Sequence, residues 1–562
     1  MIADLTILNI ISFLLIFFIG LPHGSFDGAV ASLVGFGNRI QFFQFLIYYL
    51  ALFFLVILFW LSTNAENEKS KLVVAIVVDQ MRYDFLENLD QNFSENGFKK
   101  LIKGGYNFKN NHFNYVPTVT APGHASVATG STPSTHGIVG NDWYDRKEKR
   151  EIYCTTDNNY ENIGGNAYYG KKSPKNMKVK SFADLIKSSN DNKSKTISIS
   201  LKDRGAIFMG GHSADAAYWF YGYDKGDMIS SSYYMSSLPI WVDDFNKNIG
   251  NVYLKDWNLL LKPEKYVGYE SDNNNYEKYF KGKPNTSFPY ESSKLSSLNN
   301  GYNMIKETPY GNSLVTDFAI EAIINENLGD DDYVDVITIG YSSTDYIGHN
   351  FGILSLETQD TYYRLDLEIE KLLTFLDNKI GEKNYTLFLT GDHGALEVPA
   401  KLRDEGVDAD AISKSKFKRS VIESLHESFD SNNLILSAMN NQIYINKEEV
   451  NERGLNFRDV QSKTISILKE FDFVKEAYYS DFFSSENPYS GYEELIKNGF
   501  DKDRCGDVIF ILKPNTIFYE DRGTTHGSGY DYDTHVPLIF YGANINHGES
   551  DEKTFINDIT PT

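Results

Sequence analysis

Cysteine and positive charge are what this 562-residue chain has least of. Only Cys154 and Cys505 occur, 351 residues apart, so a disulfide framework is excluded and one long-range bridge is the most that could form. Lys and Arg number 54 against 76 Asp and Glu, a net charge of −22, and no basic cluster stands out. That excludes a grip on nucleic acid, whose phosphates need a cationic face. With 42 Gly, 15 Pro and 41% hydrophobic residues, the chain is neither collagen-like nor low-complexity, and a large globular core is expected. Long apolar runs are confined to the first 61 residues, where Leu5 to Leu21 and Phe42 to Leu61 carry no charge. Each is long enough to span a membrane, while the small-residue step Ser62-Thr63-Asn64-Ala65 also suits cleavage of a signal peptide after Ala65. Residues 1–65 therefore read as one or two membrane segments or a signal. Arg39, the one strong positive charge between the two runs, favours that loop inside and the rest, 66–562, exported to the periplasmic or extracellular face.

Beyond residue 66 strands alternate with helices. Leu72 to Val78 is an uninterrupted run of the kind buried on both faces of a parallel sheet, and Thr196 to Leu201, Val334 to Ile339, Thr386 to Leu389 and Val536 to Tyr541 are comparable. Tyr362 to Ile380 and Leu314 to Asn327 have apolar residues at helical spacing. The predicted class is α/β, a mostly parallel sheet sandwiched by helices. Two stretches break the rhythm, about 143–310 and about 400–521, and read as insertions that cap the sheet.

Ligands of open α/β sheets bind beyond the carboxyl ends of the strands. Asp79 follows the first strand directly. The third is followed by Gly340-Tyr341-Ser342-Ser343-Thr344-Asp345, with His349 one helical turn further on; the fourth runs into Gly391-Asp392-His393-Gly394; His526 precedes the last. Three carboxylates and three imidazoles form a zinc-type donor set that divides into two three-ligand sites. A nucleophile would be needed, and Thr120, before a Pro-Gly turn at a predicted helix start, is a candidate because free amides there favour a phosphoryl anion. Thr118, Thr120 and Ser126 could equally be helix caps, and Lys202 and Arg204 an exposed cationic strand end. Asp330-Asp331-Asp332 reads as a solvated turn, and His112, His124, His136, His212 and His535, near the motifs but off the ligand positions, as residues that support the ligands from behind or pack.

The strand ending V-V-D-Q-M-R, the segment T-V-T-A-P-G-H-A-S, Gly140-Asn141-Asp142-Trp143, Ser200-Leu201-Lys202-Asp203-Arg204, S-T-D-Y-I-G-H, G-D-H-G and T-H-G-S together resemble the phosphate-irrepressible (PafA-type) alkaline phosphatases over roughly Lys71 to Thr562. The resemblance implies an alkaline-phosphatase-like fold and two Zn2+ per chain, one held by Asp345, His349 and His526 and the other by Asp79, Asp392 and His393. It implies Thr120 as the nucleophile that becomes phosphothreonine, with Asn141, Lys202 and Arg204 binding the phosphoryl oxygens of small phosphate monoesters, for phosphate scavenging. The Lys-x-Arg pair suits a dianion; the alternative is a phosphodiesterase or nucleotide pyrophosphatase on the same two-metal core. Thr120-Ala121-Pro122 in place of a Cys/Ser-x-Pro-x-Arg context argues against a sulfatase. Gly20 to Asp27 resembles the Pro-His-Gly signature of Brp/Blh membrane carotene dioxygenases over about 40 residues, and reads as a fusion or a misassigned start. Asn557 to Thr562 resembles the beginning of the family's closing helix.

Overall fold

A computed structural model describes residues 70–165, 169–223, 225–268, 272–485 and 487–562, together with Ile47. The expectations for residues 1–65 lie outside the described residues, Ile47 apart. Among the described residues no helix is long and apolar enough to cross a membrane. The chain divides into two compact units, Met1–Asn67 and Glu68–Thr562, and the second carries everything that follows.

In chain order its principal elements are β1 (Leu72–Val78), β2 (Tyr106–Phe108), α1 (Thr120–Thr129), β3 (Asn162–Ile163), β4 (Thr196–Ser200), α2 (Asp203–Gly210), β5 (Ala216–Tyr221) and β6 (Asp227–Ser231). They continue with α3 (Tyr310–Asn325), β7 (Asp335–Tyr341), α4 (Ser343–Phe351), α5 (Leu356–Lys379), β8 (Tyr385–Gly391), β9 (Ile435–Met439), β10 (Gln442–Ile445), β11 (Val474–Tyr479), β12 (Val508–Leu512), β13 (Leu538–Gly542) and β14 (Gly548–Ser550). A ten-stranded sheet runs β14-β2-β13-β8-β1-β7-β4-β5-β6-β3. Its centre, β8-β1-β7-β4-β5, is parallel throughout, whereas β13 pairs antiparallel with β8 and β6 antiparallel with β5. β1 is central because six of its seven side chains are buried, which only a strand covered on both faces tolerates without polar residues.

Register decides where the chemistry lies. Val78 stands opposite Tyr341 on one side and Gly391 on the other, and Gly340 stands opposite Ser200. The residues just past these positions, Asp79, Ser342 to Asp345, Asp392 and Lys202, therefore leave one edge of the sheet at neighbouring strand spacings of about 5 Å. The long helix begins earlier than its periodicity predicts, at Leu356, because Ser355 Oγ caps it by accepting from Thr358 N at 3.1 Å.

The stretch 143–310 is more than a cap. Its β5, an entirely buried A-A-Y-W-F-Y run, extends the central sheet, with β6 and β3 beyond it. The aromatic weight of that segment obscured a strand. By contrast 400–521 builds its own four-stranded sheet, β9-β10-β12-β11, over a separate core that includes Phe417, Leu425, Val460 and Phe510. Cys154 and Cys505 are both free and buried, and they pack in one apolar cluster with Ile138 and Trp143 without a bridge. Near the C-terminal end Ile556 and Ile559 are buried with Val127 and Ala128, and Thr560 Oγ1 donates to Val127 O at 3.1 Å, bracing α1.

Candidate active site

Asp79 is fixed by its backbone: its N–H donates to Tyr341 O at 2.8 Å and its carbonyl accepts from Thr344 Oγ1 at 2.5 Å. α4 starts two residues past β7, so Asp345 and His349 fall one turn apart, and His349 Nε2 lies 3.1 Å from Asp345 Oδ1. The 523–529 loop brings His526 Nε2 to 3.5 Å from the same oxygen. Both rings are held through Nδ1, which donates to Thr524 O at 2.7 Å in His349 and to Thr118 O at 2.8 Å in His526, so in each the Nε2 lone pair faces the carboxylates. His393 repeats the device, with Nδ1 on Gly394 O at 3.0 Å. Its Nε2 is 3.5 Å from Asp79 Oδ1 and 3.4 Å from Asp392 Oδ2, and its ring stacks on His526 at 3.5 Å.

Two sets of ligand atoms, Asp345/His349/His526 and Asp79/Asp345/His393, each fall within 4.8 Å. Asp345 is thus common to both, and Asp392 attaches to the second through His393. Asp79 Oδ1 and His393 Nε2 are buried with no hydrogen-bond partner, and Asp79 Oδ2 and Asp392 Oδ2 meet the ammonium of Lys202 and the ring of His124. Buried carboxylates and imidazoles so sparsely matched fit cations of the zinc type. Lys202 Nζ, 2.7 Å from Asp79 Oδ2 and 2.5 Å from Asp345 Oδ2, supplies the protein's own positive charge there. Burial, then the like charges of Asp345 and Asp392, push the Asp79 carboxyl well above the usual range. Burial acts the same way on Asp345 and Asp392, yet His349 with Lys202 holds the first well down, and His393 with His124 lowers the second. Burial pushes His393 down to about 3, which keeps its ring neutral and able to ligate.

α1 begins at Thr120, and no side chain of its N-cap residue, Val119, bonds the helix. Thr118 Oγ1 donates to Ser528 O at 2.7 Å and Ser126 Oγ meets His136 Nε2 at 2.9 Å, so neither serves as that cap. Thr120 Oγ1 is 3.4 Å from both Lys202 Nζ and Arg204 Nη2. Asn141 Oδ1 accepts from Ala121 N at 2.9 Å, leaving its amide N–H groups to donate. Lys202 is only 3% exposed, which rules out a solvated strand end. Arg204 Nη1 donates to Tyr153 OH at 3.1 Å, and that hydroxyl donates to Asp203 at 2.7 Å. The helix presses closely on β8: a Cβ at Gly123 would stand 2.3 Å from Asp392 O.

Three participants were not singled out from sequence. Gln80, at a left-handed φ of 65°, donates from its backbone to Asp392 Oδ1 and from Nε2 to Asp345 Oδ1, both at 3.0 Å. Its place directly after Asp79 was the available signal. His124, read as a supporting or packing residue, is a supporting one: it lies one turn past Thr120, with Nδ1 2.9 Å from Thr120 O and 3.3 Å from Asp392 Oδ2. Asp533 Oδ2 accepts from Gly527 N, Ser528 N and Ser528 Oγ, fixing the loop that carries His526. The other histidines stand apart: His112 stacks on His535 at 4.6 Å, and His212 faces Asp184.

Residues 73–536 match the family described as type I phosphodiesterase / nucleotide pyrophosphatase. Relatives include a protein named calcium-transporting ATPase from Myroides odoratus, 40% identical over 90% of this chain and 93% of its own. Alkaline phosphatase PhoV from Synechococcus elongatus is 36% identical over 90% and 94%, and alkaline phosphatase PafA from Elizabethkingia meningoseptica 37% over 89% and 92%. A crystal structure of wild-type alkaline phosphatase PafA superposes with a TM-score of 0.84 at 37% identity, covering 88% of this chain and 95% of that one. With its parallel sheet centre, its strand-end carboxylates and that superposition, this chain belongs to the type I phosphodiesterase / nucleotide pyrophosphatase family and, within it, to the PafA-type alkaline phosphatases.

Proposed function

We propose that this chain is a zinc-dependent phosphomonoesterase that forms a covalent phosphothreonine on Thr120 and releases inorganic phosphate from varied small monoesters. One observation carries the reading: a buried hydroxyl, at the first residue of a helix, lies 3.4 Å from both an ammonium and a guanidinium and beside a buried cluster of metal-type ligands. Two Zn2+ ions, held by Asp345, His349 and His526 and by Asp79, Asp392 and His393, would supply Lewis acidity and a lowered pKa for a coordinated hydroxyl.

The chain's own residues account for the rest. Thr120 Oγ1 attacks phosphorus; the P–O bond to the alcohol breaks, and the phosphoryl group stays on the threonine until water displaces it. Lys202, Arg204 and Asn141 take the non-bridging oxygens, the two cations matching the second negative charge that a monoester has and a diester lacks. His124 holds Thr120 through its carbonyl. Export and phosphate scavenging belong to the same proposal; export rests on the uncharged apolar runs of residues 1–65.

The test is Thr120→Ala with zinc content measured alongside activity. Turnover of p-nitrophenyl phosphate should vanish at near-normal metal content, and retained turnover sinks the nucleophile. A diesterase on the same core is the rival: faster hydrolysis of bis-p-nitrophenyl phosphate than of the monoester would establish it. ATP belongs in the same panel, since its terminal phosphoryl group is also a dianion and one relative carries an ATPase name.

A further inference from the structure

Where the inserted four-stranded sheet meets the catalytic edge lies a cavity of about 240 Å³ that adjoins the active site through three of its residues. His526, a candidate metal ligand, lines it, and so does Val119, directly before Thr120. Asn440, in the β9–β10 turn, lines it too, and its Nδ2 donates to Asp142 O at 2.8 Å, next to Asn141. Apolar lining comes from Phe417, Phe510 and Phe518, and the exposed Lys414 stands at the rim. Pockets for drug-sized ligands run to about 300–1,000 Å³, so a cavity of this size suits one ring and its substituents.

Lys414 opens α6 (Lys414–Phe429), and Lys416, Lys418 and Arg419 follow within five residues. Among the described residues none of these four cations has a hydrogen bond or an ion pair. No acid stands in the first turn of α6 and no side chain caps it, so the cations crowd the positive end of the helix dipole, an unfavourable place for them unless an anion is near. In a chain of net charge −22 this is a local reversal of sign, on a run too short to track a nucleic-acid backbone. The acids of the adjoining groove are engaged elsewhere, Glu520 with Lys278 at 3.5 Å and Asp521 with Arg403 at 3.6 Å. Lys414 also acts on the active site itself: burial pushes the Asp142 carboxyl up, while Arg204, Lys172 and Lys414 draw it down. Arg204 and Lys414 thus both act on the residue that follows Asn141.

We propose that this cavity receives the leaving group, and that Lys414 makes it selective for aromatic monoesters that carry a second negative charge remote from the phosphate. The inference rests on the phosphomonoesterase reading and names the preferred substrate class within it. With the phosphoryl group beside Thr120, a ring extending past His526 leaves water for the phenylalanine-lined wall, and a carboxylate on its far side meets the ammonium at the rim. A neutral ring fills the same space without the ion pair. Because Lys414 is exposed, one such pair changes affinity by about 5-fold at most.

The experiment compares phenyl phosphate with 4-carboxyphenyl phosphate on the zinc-loaded enzyme. The rings are the same, and the para carboxylate changes the acidity of the phenol little. At low salt kcat/KM should favour the carboxylate by about 5-fold, carried by KM, and the ratio should shrink at high salt. Lys414→Met should bring the ratio to about 1, whereas Lys418→Met, off the cavity, should leave most of it, which separates a local pair from the field of the whole helix. Calorimetric titration of both esters into zinc-loaded Thr120→Ala reads the same preference as a ratio of Kd values without turnover. If the wild type fails to hydrolyse phenyl phosphate, the monoesterase reading falls and this titration still decides the subsite. Two results overturn the proposal: equal values for the two esters at low salt, since an acidic protein gives the extra charge no advantage of its own, or a preference that survives Lys414→Met.

Discussion

Replacing Lys202 by Met removes the one ammonium that bridges Asp79 and Asp345 while keeping most of the volume, and its cost should depend on metal. In the metal-free chain three buried carboxylates, Asp79, Asp345 and Asp392, face each other, and Lys202 is ion-paired with two of them at 2.7 and 2.5 Å. Taking away one partner of a buried pair costs about 3–5 kcal/mol, because the remaining charge cannot reach water. Once zinc is bound, the same oxygens are neutralised by the ions, and the stability deficit should fall to a small fraction of that. Asp79 adds a pH signature. Its folded pKa is raised above the usual carboxylate range, so its contribution is present below that range and lost as pH rises through the folded value; without the ammonium the rise is larger. The deficit of metal-free Lys202→Met should therefore grow as pH rises above the usual carboxylate range. Urea unfolding followed by tryptophan fluorescence, run on chelator-treated and zinc-loaded protein, measures it. Equal deficits with and without zinc would refute the idea that Lys202 and the metals neutralise the same charge. In the loaded enzyme, kcat/KM for a monoester should fall by about 10²- to 10³-fold, as on loss of one donor to a developing anion, and diester hydrolysis by much less.

Gln80→Ala removes the Nε2 bond to Asp345 Oδ1 while its backbone N–H still holds Asp392 Oδ1, and should weaken zinc binding by about 10-fold in a competitive chelator titration, with secondary structure unchanged. Gly123→Ala drives a Cβ to 2.3 Å from Asp392 O and must move α1 off β8; a displacement near 1 Å at Thr120 should lower kcat by about 10²-fold while KM changes little. His136 is buried and neutral, accepting from Ile138 N at 3.1 Å through Nδ1, and burial pushes it down to about 3. The unfolded chain then takes up a proton from about pH 6.5 downward and the folded chain does not, so stability is lost as pH falls through that window by up to about 1.4 kcal/mol per unit. The stability profile of His136→Gln should be flatter there by that slope, and parallel profiles would contradict the assignment.

How much of this was legible from residues alone depends on where each interaction is encoded. Uninterrupted runs such as Leu72 to Val78 declare a central parallel strand, and a polar residue just after such a run is placed by register; that is why Asp79, Asp345 and Asp392 could be read before any geometry. His349 followed from a four-residue spacing. β5 was hidden because A-A-Y-W-F-Y is bounded by turn-rich chain, and burial on both sheet faces, not alternation, is what makes it a strand. Gln80 was not legible as a site residue, and His124 only as a supporting or packing one, since their contacts reach Asp392 across sequence separations of about 312 and 268 residues, which no local pattern carries. The cap reading fell for Thr118 and Ser126 only once both were found bonded elsewhere, and the place of Thr120 beside Lys202 and Arg204 is set by strand ends far apart in sequence.

The acidic balance of the chain acquires a specific meaning at this edge. Three carboxylates against Lys202 and Arg204 leave one formal negative charge, and two divalent ions would reverse its sign to plus three. An anionic ester is thus repelled by most of an exterior that contributes to the −22 total and attracted only where metals are bound. Lys202 has to serve both states. Its ammonium pairs with Asp79 and Asp345; with those carboxylates neutralised by metal it would be free to face Thr120, only 3.4 Å away, where the proposed mechanism puts the phosphoryl oxygens. On the proposed mechanism metal loading and substrate affinity would be coupled through one side chain, and phosphate should bind the metal-free enzyme weakly for two reasons: the ions are missing, and the lysine that would greet it is held by Asp79 and Asp345.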